Sequence, residues 1–162
     1  MEWSNIVSNR RSIRKYRPDP VEPEKLRKIL EDMRMAPSAV NRQEWKFIIV
    51  TNPELRRKIA GKSDVLSEAP ALLIAAGTGG EMTCGHLSCT VDLTIAMTVG
   101  VLAATNLGLG SCFVASFRES DVREALGFSE EWRIPLISPL GYPDDAPKFR
   151  PRKAIEEVAE IW

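Results

Sequence analysis

Between Val91 and Leu109 the chain reads VDLTIAMTVGVLAATNLGL, nineteen residues with Asp92 as the only charge. A run this long and apolar reaches the length of a bilayer span. Asp92, the interspersed threonines and Asn106 argue instead for a helix buried inside a folded domain. The spacing predicts that helix over Thr90–Leu107, with Gly108 as its stop. A helix apolar on most of its circumference has to be covered by other elements. It therefore fixes the organisation of the chain: a long central helix with a sheet and further helices around it.

The surrounding sequence supplies those elements. Leu26, Ile29, Leu30 and Met33 fall at helical spacing between Pro23 and Met35, and Pro37 ends that helix. Trp45–Val50 (WKFIIV) reads as a strand. Asn52-Pro53-Glu54 is a helix start, with a capping side chain, a proline in the first turn and an acid at the positive dipole end. That helix stops near Gly61. Pro70–Ala76 and Ser111–Ser116 read as buried strands. Ser120 is expected to cap a short helix that ends at Gly127. Arg133–Leu140 reads as an edge or bent strand, because Pro135 and Pro139 lie in it. Residues 144–152 are polar and irregular. The last ten residues carry Ile155, Val158, Ile161 and Trp162, which either fold back on their own core or dock on a partner. The pattern is α+β, in one domain over residues 1–162.

Composition narrows the function. Lys plus Arg and Asp plus Glu are 22 each, so no global charge excess favours nucleic acid. Three cysteines, Cys84, Cys89 and Cys112, do not make a secreted disulfide framework. Residues 1–11 hold no apolar signal core. The expectation is a cytoplasmic protein that engages neither membrane nor nucleic acid. Cys84, His86 and Cys89 offer three ligands at unusual spacing where structural zinc usually takes four, so no metal is expected. A single histidine with no nucleophile motif near it argues against a Ser-His-Asp hydrolase. No pair of carboxylates stands out for acid–base work.

Four segments could carry chemistry. Asn9-Arg10-Arg11-Ser12-Ile13-Arg14-Lys15-Tyr16 places four cations and a hydroxyl close together, and arginine offers a planar donor fork to phosphate oxygens. Lys148-Phe149-Arg150-Pro151-Arg152-Lys153 is a second basic segment. Either cluster is also compatible with a solvated charged face, and spacing alone does not prove that they converge. Pro37–Trp45 is a loop whose Ser38, Asn41 and Gln43 could meet a polar ring or simply build a turn. Gly108-Leu109-Gly110-Ser111-Cys112 lets backbone approach a ligand or merely ends the helix. It is neither a Walker loop nor a GxGxxG fingerprint.

Taken in order, these segments resemble the nitroreductase family of flavoproteins. Arg10–Tyr16 is similar to its RRSxRxY/F opening, and Pro37–Trp45 to its APSxxNxQPW loop, with Glu44 where the family has proline. Val91-Asp92 and the apolar helix into Gly108–Cys112 resemble its central helix and GLGSC turn. Pro139-Leu140-Gly141-Tyr142-Pro143, Lys148–Arg152 and Glu156-Glu157 resemble its LGYP…RxR…EE ending. The resemblance implies a central, mostly antiparallel sheet flanked by helices, and an intertwined homodimer with FMN at the interface. It places Arg10, Ser12, Arg150 and Arg152 at the FMN phosphate, with Arg11 at the same edge and Arg14 beside the ring, where a cation stabilises reduced flavin. Pro37, Ser38, Ala39 and Asn41 would reach the flavin from the other subunit. Phe113, Val114, Ala115 and Ser116 would run past the ring, Ser116 standing where glycine is common. The implied activity is ping-pong hydride transfer from NADH or NADPH through FMN to a nitro, quinone or related small-molecule acceptor, with no side-chain acid or base required. The alternative is a non-catalytic flavin-binding or regulatory protein of the same fold. The short stretch between Gly61 and Cys89 leaves little room for extra helices over the substrate pocket.

Overall fold

The structure, a computed structural model, describes residues 2–162. In chain order it runs α1 (Trp3–Asn9), α2 (Pro23–Met33), a 3-10 turn (Ala39–Asn41), β1 (Trp45–Val50), α3 (Pro53–Ala60), α4 (Asp64–Ser67), β2 (Ala71–Gly77), α5 (Ser88–Asn106), β3 (Gly110–Ser111), α6 (Glu119–Leu126), β4 (Ile137–Gly141) and a 3-10 turn (Ile155–Glu157). The four strands lie in the order β1-β2-β4-β3, and every neighbouring pair is antiparallel. This is the α+β architecture that the resemblance implies.

The sheet divides the core in two. All seven residues of β2 are buried, as expected of a strand covered on both faces. Side chains alternate across a strand. Leu72, Ile74 and Ala76 therefore join Ile59, Leu66 and Val122 from α3, α4 and α6. Ala71, Leu73 and Ala75 join Ile29 and Met33 of α2 and Leu93 and Met97 of α5 on the opposite face. Full burial of a side chain such as Leu73 or Ile74 contributes about 1.5–3 kcal/mol. The Asn52 side chain accepts a hydrogen bond from the Leu55 N–H at 2.9 Å, so α3 starts at its expected cap.

The helix α5 is long and apolar enough to cross a bilayer by length and composition. Eight of its residues are nonetheless buried in the fold, among them Cys89, Leu93, Ala96, Met97, Val101 and Ala104. Gly100 permits its close approach to α2, since a Cβ there would sit 2.7 Å from Met33 Sδ. The helix is not covered all round, however. Thr90, Val91, Thr94, Ile95 and Thr98 form an exposed stripe. Along it Thr94 and Thr98 donate back to the carbonyls of Thr90 and Thr94 at 2.7 and 2.8 Å, so their hydroxyls are satisfied within the helix.

Several expectations are corrected. Residues 111–116 are not one buried strand: β3 stops at Ser111, Phe113, Ala115 and Ser116 are exposed, and only Val114 pairs again, with Ile137. Pro139 supplies the reason. Ile137 exchanges both backbone hydrogen bonds with Val114 at 2.9 Å. Two residues on, Pro139 turns its nitrogen to the same side and has no proton to give, so the ladder breaks there. For the same reason β4 tolerates proline while lying between β2 and β3, and it is not an edge strand. Ser120 lies inside α6, whose N-cap is Arg118, and bonds Asp121 Oδ1 instead. The helices α1 and α4 are not foreseen. Residues 148–162 are all exposed, so the apolar tail does not fold back on its own core.

Candidate active site

The site begins where the two ends of the chain meet. The Ile13 N–H donates to the Ser111 carbonyl at 3.0 Å, which sets residues 12–13 beside β3. Gly110 makes room, because a Cβ there would lie 2.8 Å from Ile13 Cβ. From this point residues 11–17 run antiparallel to residues 142–149. Arg17 N–H donates to the Tyr142 carbonyl at 2.9 Å, Tyr16 bridges Pro143, and Asp144 N–H donates to the Lys15 carbonyl at 2.9 Å. Arg14 N–H donates to Asp145 Oδ2 at 3.4 Å. The Arg11 guanidinium then lies over the Phe149 ring, 5.0 Å from its centroid. These successive pairings carry Lys148, Arg150 and Arg152 to Arg10, Arg11 and Ser12.

Together they enclose a pocket of about 150 Å³, lined by Arg10, Arg11, Ser12 and Arg14 from one segment and by Lys148, Phe149, Arg150 and Arg152 from the other. Among the described residues none of its six cations forms an ion pair. Arg10 Nη1 is buried without a hydrogen-bond partner. Like charges gathered this closely repel one another, and a buried guanidinium nitrogen without an acceptor is costly. An anion with several oxygens, such as a phosphate ester, satisfies both conditions.

Arg14 is shared by this pocket and an adjoining cleft of about 1050 Å³. Residues 112–118 form one wall of the cleft, and the corner between α3 and α4, including Gly61, Lys62 and Ser63, forms the other. Phe113, Val114, Ala115 and Ser116 thus lie where an aromatic ring attached to the phosphate would extend. Beneath them Tyr16 donates to the Ile13 carbonyl at 2.6 Å. Burial pushes the Tyr16 hydroxyl far above the usual phenol range, and the neighbouring Cys112 adds to that. Burial likewise raises the Cys112 thiol. Both groups stay neutral near pH 7, so Cys112 is no thiolate nucleophile.

Pro37, Ser38, Ala39 and Asn41 are not brought to these cavities and line neither of them. They form a separately braced loop. Ser38 Oγ accepts from Gln43 N–H at 3.1 Å, Ala39 N–H donates to Asp92 Oδ1 at 3.0 Å, and Gln43 Nε2 donates to the Asn41 carbonyl and Oδ1 at 3.2 Å each. Val40, Asn41 and Gln43 have φ of 52°, 56° and 54°. For a β-branched residue such as Val40 that is a strained conformation, and strain of this kind gathers at ligand sites. Val40 is 90% exposed, so no packing in this chain accounts for it.

The wall from Ile59 to Ser63 escapes the sequence reading, because Gly61-Lys62-Ser63 has the chemistry of any helix-to-helix corner. Asp145 has no sequence signal either. The segment between β2 and α5 is a hairpin, with Glu81 paired to Leu87 and Met82 N–H donating to the His86 carbonyl at 2.8 Å, not a set of covering helices. Cys84 is exposed and Cys89 buried, both free. Among the described residues no three His, Cys, Asp or Glu side chains are placed to hold a metal.

A profile of the nitroreductase family matches residues 7–64 and 60–142. A Methanothermobacter thermautotrophicus protein carrying an NADH dehydrogenase/NAD(P)H nitroreductase name is 34% identical over 158 residues, covering 93% of this chain and 82% of that one. A solved nitroreductase family protein from Clostridium difficile superposes with a TM-score of 0.90 at 26% identity, over 99% of this chain and 98% of the other. An FMN-dependent nitroreductase from the same species gives 0.85 at 28% identity, over 97% and 98%. The chain belongs to the nitroreductase family.

Proposed function

We propose that this protein is an FMN-dependent oxidoreductase that takes hydride from NADH or NADPH and reduces a nitro, quinone or related small molecule, working as a homodimer. The observation that carries the reading is the cation-lined pocket with the unpartnered, buried Arg10 Nη1, opening at Arg14 into a cleft large enough for a tricyclic ring. The name of the FMN-dependent clostridial neighbour agrees with it.

Arg10, Ser12, Arg150 and Arg152 would bind the phosphate. Arg14, between pocket and cleft, would place a permanent cation beside the ring. Residues Phe113–Ser116, which line the cleft, would flank the ring. Bound FMN supplies hydride acceptance and electron delivery, which no side chain here provides. The chain's own contribution is binding, orientation and a fixed positive charge. Donor and acceptor would use the same open face in turn, which is a ping-pong scheme.

Pro37, Ser38, Ala39 and Asn41 complete the site only if a second copy supplies them, and the exposed apolar surface supports such a copy. Ile161 and Trp162 are fully exposed, Ile155 and Val158 largely so, and the α5 stripe with Val91 and Ile95 is uncovered. Exposed apolar area on this scale marks an interaction surface. Steady-state kinetics of the FMN-reconstituted protein with NADH or NADPH and a quinone should give parallel double-reciprocal lines. Flavin that binds but never turns over would favour the binding-protein alternative.

A further inference from the structure

Arg11 lines the phosphate pocket, but one end of its guanidinium is already engaged. Arg11 Nη1 donates to the Ser8 carbonyl at 2.6 Å and to the Arg10 carbonyl at 3.0 Å, while its flat face covers Phe149. Arg10 Nη1, by contrast, is buried and has no partner. The two adjacent arginines therefore do different work. The geometry points to Arg11 and Phe149 as a latch: positioning residues that hold the 148–152 segment over the pocket, so that Arg150 and Arg152 reach the same phosphate as Arg10 and Ser12. The inference rests on the reading of this pocket as the FMN phosphate site.

The rest of the pairing shows why a latch is needed. Backbone and Asp145 contacts bind residues 14–17 to residues 142–145. Past Asp145 no backbone hydrogen bond joins the two described segments, and Arg152 Nη1 bonds only the Arg150 carbonyl of its own segment. Lys148, Arg150 and Arg152 all face cations of the opposite segment across the pocket. Among the described residues the Arg11–Phe149 stack is thus the one hydrogen-bond, ion-pair or ring contact that spans this part of the pocket. It turns one of the repelling cations into an attachment, because the face of a phenyl ring attracts a guanidinium. Lysine keeps the charge at position 11 but loses the planar fork that bonds the Ser8 and Arg10 carbonyls while lying flat on Phe149.

Titration of FMN and of riboflavin into the cofactor-free full chain tests this, with affinity and not turnover as the readout. Arg11→Lys and Phe149→Ala should each weaken FMN about three- to tenfold. The double variant should be no worse than the weaker single one, because both remove the same contact. Phe149→Tyr should bind FMN like the unmodified protein. Riboflavin, which lacks the phosphate, should bind all of them alike. Phe149 is 58% exposed and belongs to neither core cluster, so its replacement leaves the fold in place, which unchanged melting confirms. Full FMN affinity in either single variant, or equal losses for FMN and riboflavin, overturns the latch. If the unmodified protein binds riboflavin as tightly as FMN, the phosphate reading itself fails, a different result from failure of the latch.

Discussion

The corner where residues 10–17 meet residues 142–152 and the loop at residues 37–44 both carry motif residues, yet they are built on opposite principles. The corner is built from residues of one chain. Its two halves are joined by backbone pairings across more than a hundred residues, they enclose a pocket, and they leave a buried cationic atom without a partner. The loop is braced against itself, against Asp92 of α5 and through the Thr78 N–H to the Glu44 carbonyl, holds strained backbone at Val40, and lines neither cavity. A braced, strained loop away from both cavities is what the proposed reading expects of the half that a partner copy would complete. The difference separates what one chain builds by itself, a cation-lined pocket, from a loop that on the proposed reading a second copy would bring to the ring.

Breaking the self-sufficient half should have the largest effect. Arg10→Ala with Arg152→Ala removes two charge-assisted contacts worth about 1.5–3 kcal/mol each, so FMN affinity should fall at least about a hundredfold. Neither side chain belongs to a core cluster, and thermal unfolding of the cofactor-free protein should not change. Next in size is deletion of residues 154–162. None of them is buried in the chain, so the fold should survive while sedimentation shifts from dimer to monomer. A truncated protein that stays dimeric would break the assigned role of the tail.

Asn41→Ala should cost about fivefold in FMN affinity, the value of one ordinary hydrogen bond. Mixing it with the Arg10/Arg152 variant sharpens the comparison further. In a hybrid dimer one site joins an intact corner to an intact loop from the other chain. Hybrids should then bind one FMN with full affinity, whereas a loop that serves its own chain's flavin leaves no intact site. The smallest effect is expected far from both regions: Asn52→Ala should lower stability by about 1 kcal/mol through loss of the α3 cap, with flavin binding unchanged.

What was legible in the sequence was what is encoded locally. The central helix, β1, β2 and the Asn52 cap follow from apolar periodicity and cap chemistry within a few residues. The short β3 was not legible, because its end is set by the missing N–H of Pro139 on another strand. The cap at Arg118 was obscured by Ser120, a better capping residue two positions later that bonds its neighbour instead. Among the site residues, the arginines could be read individually as phosphate ligands, but their convergence depends on the Arg14–Asp145 and Lys15–Asp144 pairings, which no local pattern announces. The strain at Val40 was hidden for the opposite reason: valine is a residue from which a left-handed conformation would not be expected.

The most direct test of the account is an absorbance spectrum of the protein incubated with FMN, desalted, and then treated anaerobically with NADH or NADPH. Flavin bands that survive desalting and bleach with one of the two donors are the predicted result. Flavin that washes away, with titration finding no weaker binding, or bound flavin that neither nucleotide reduces, would contradict it.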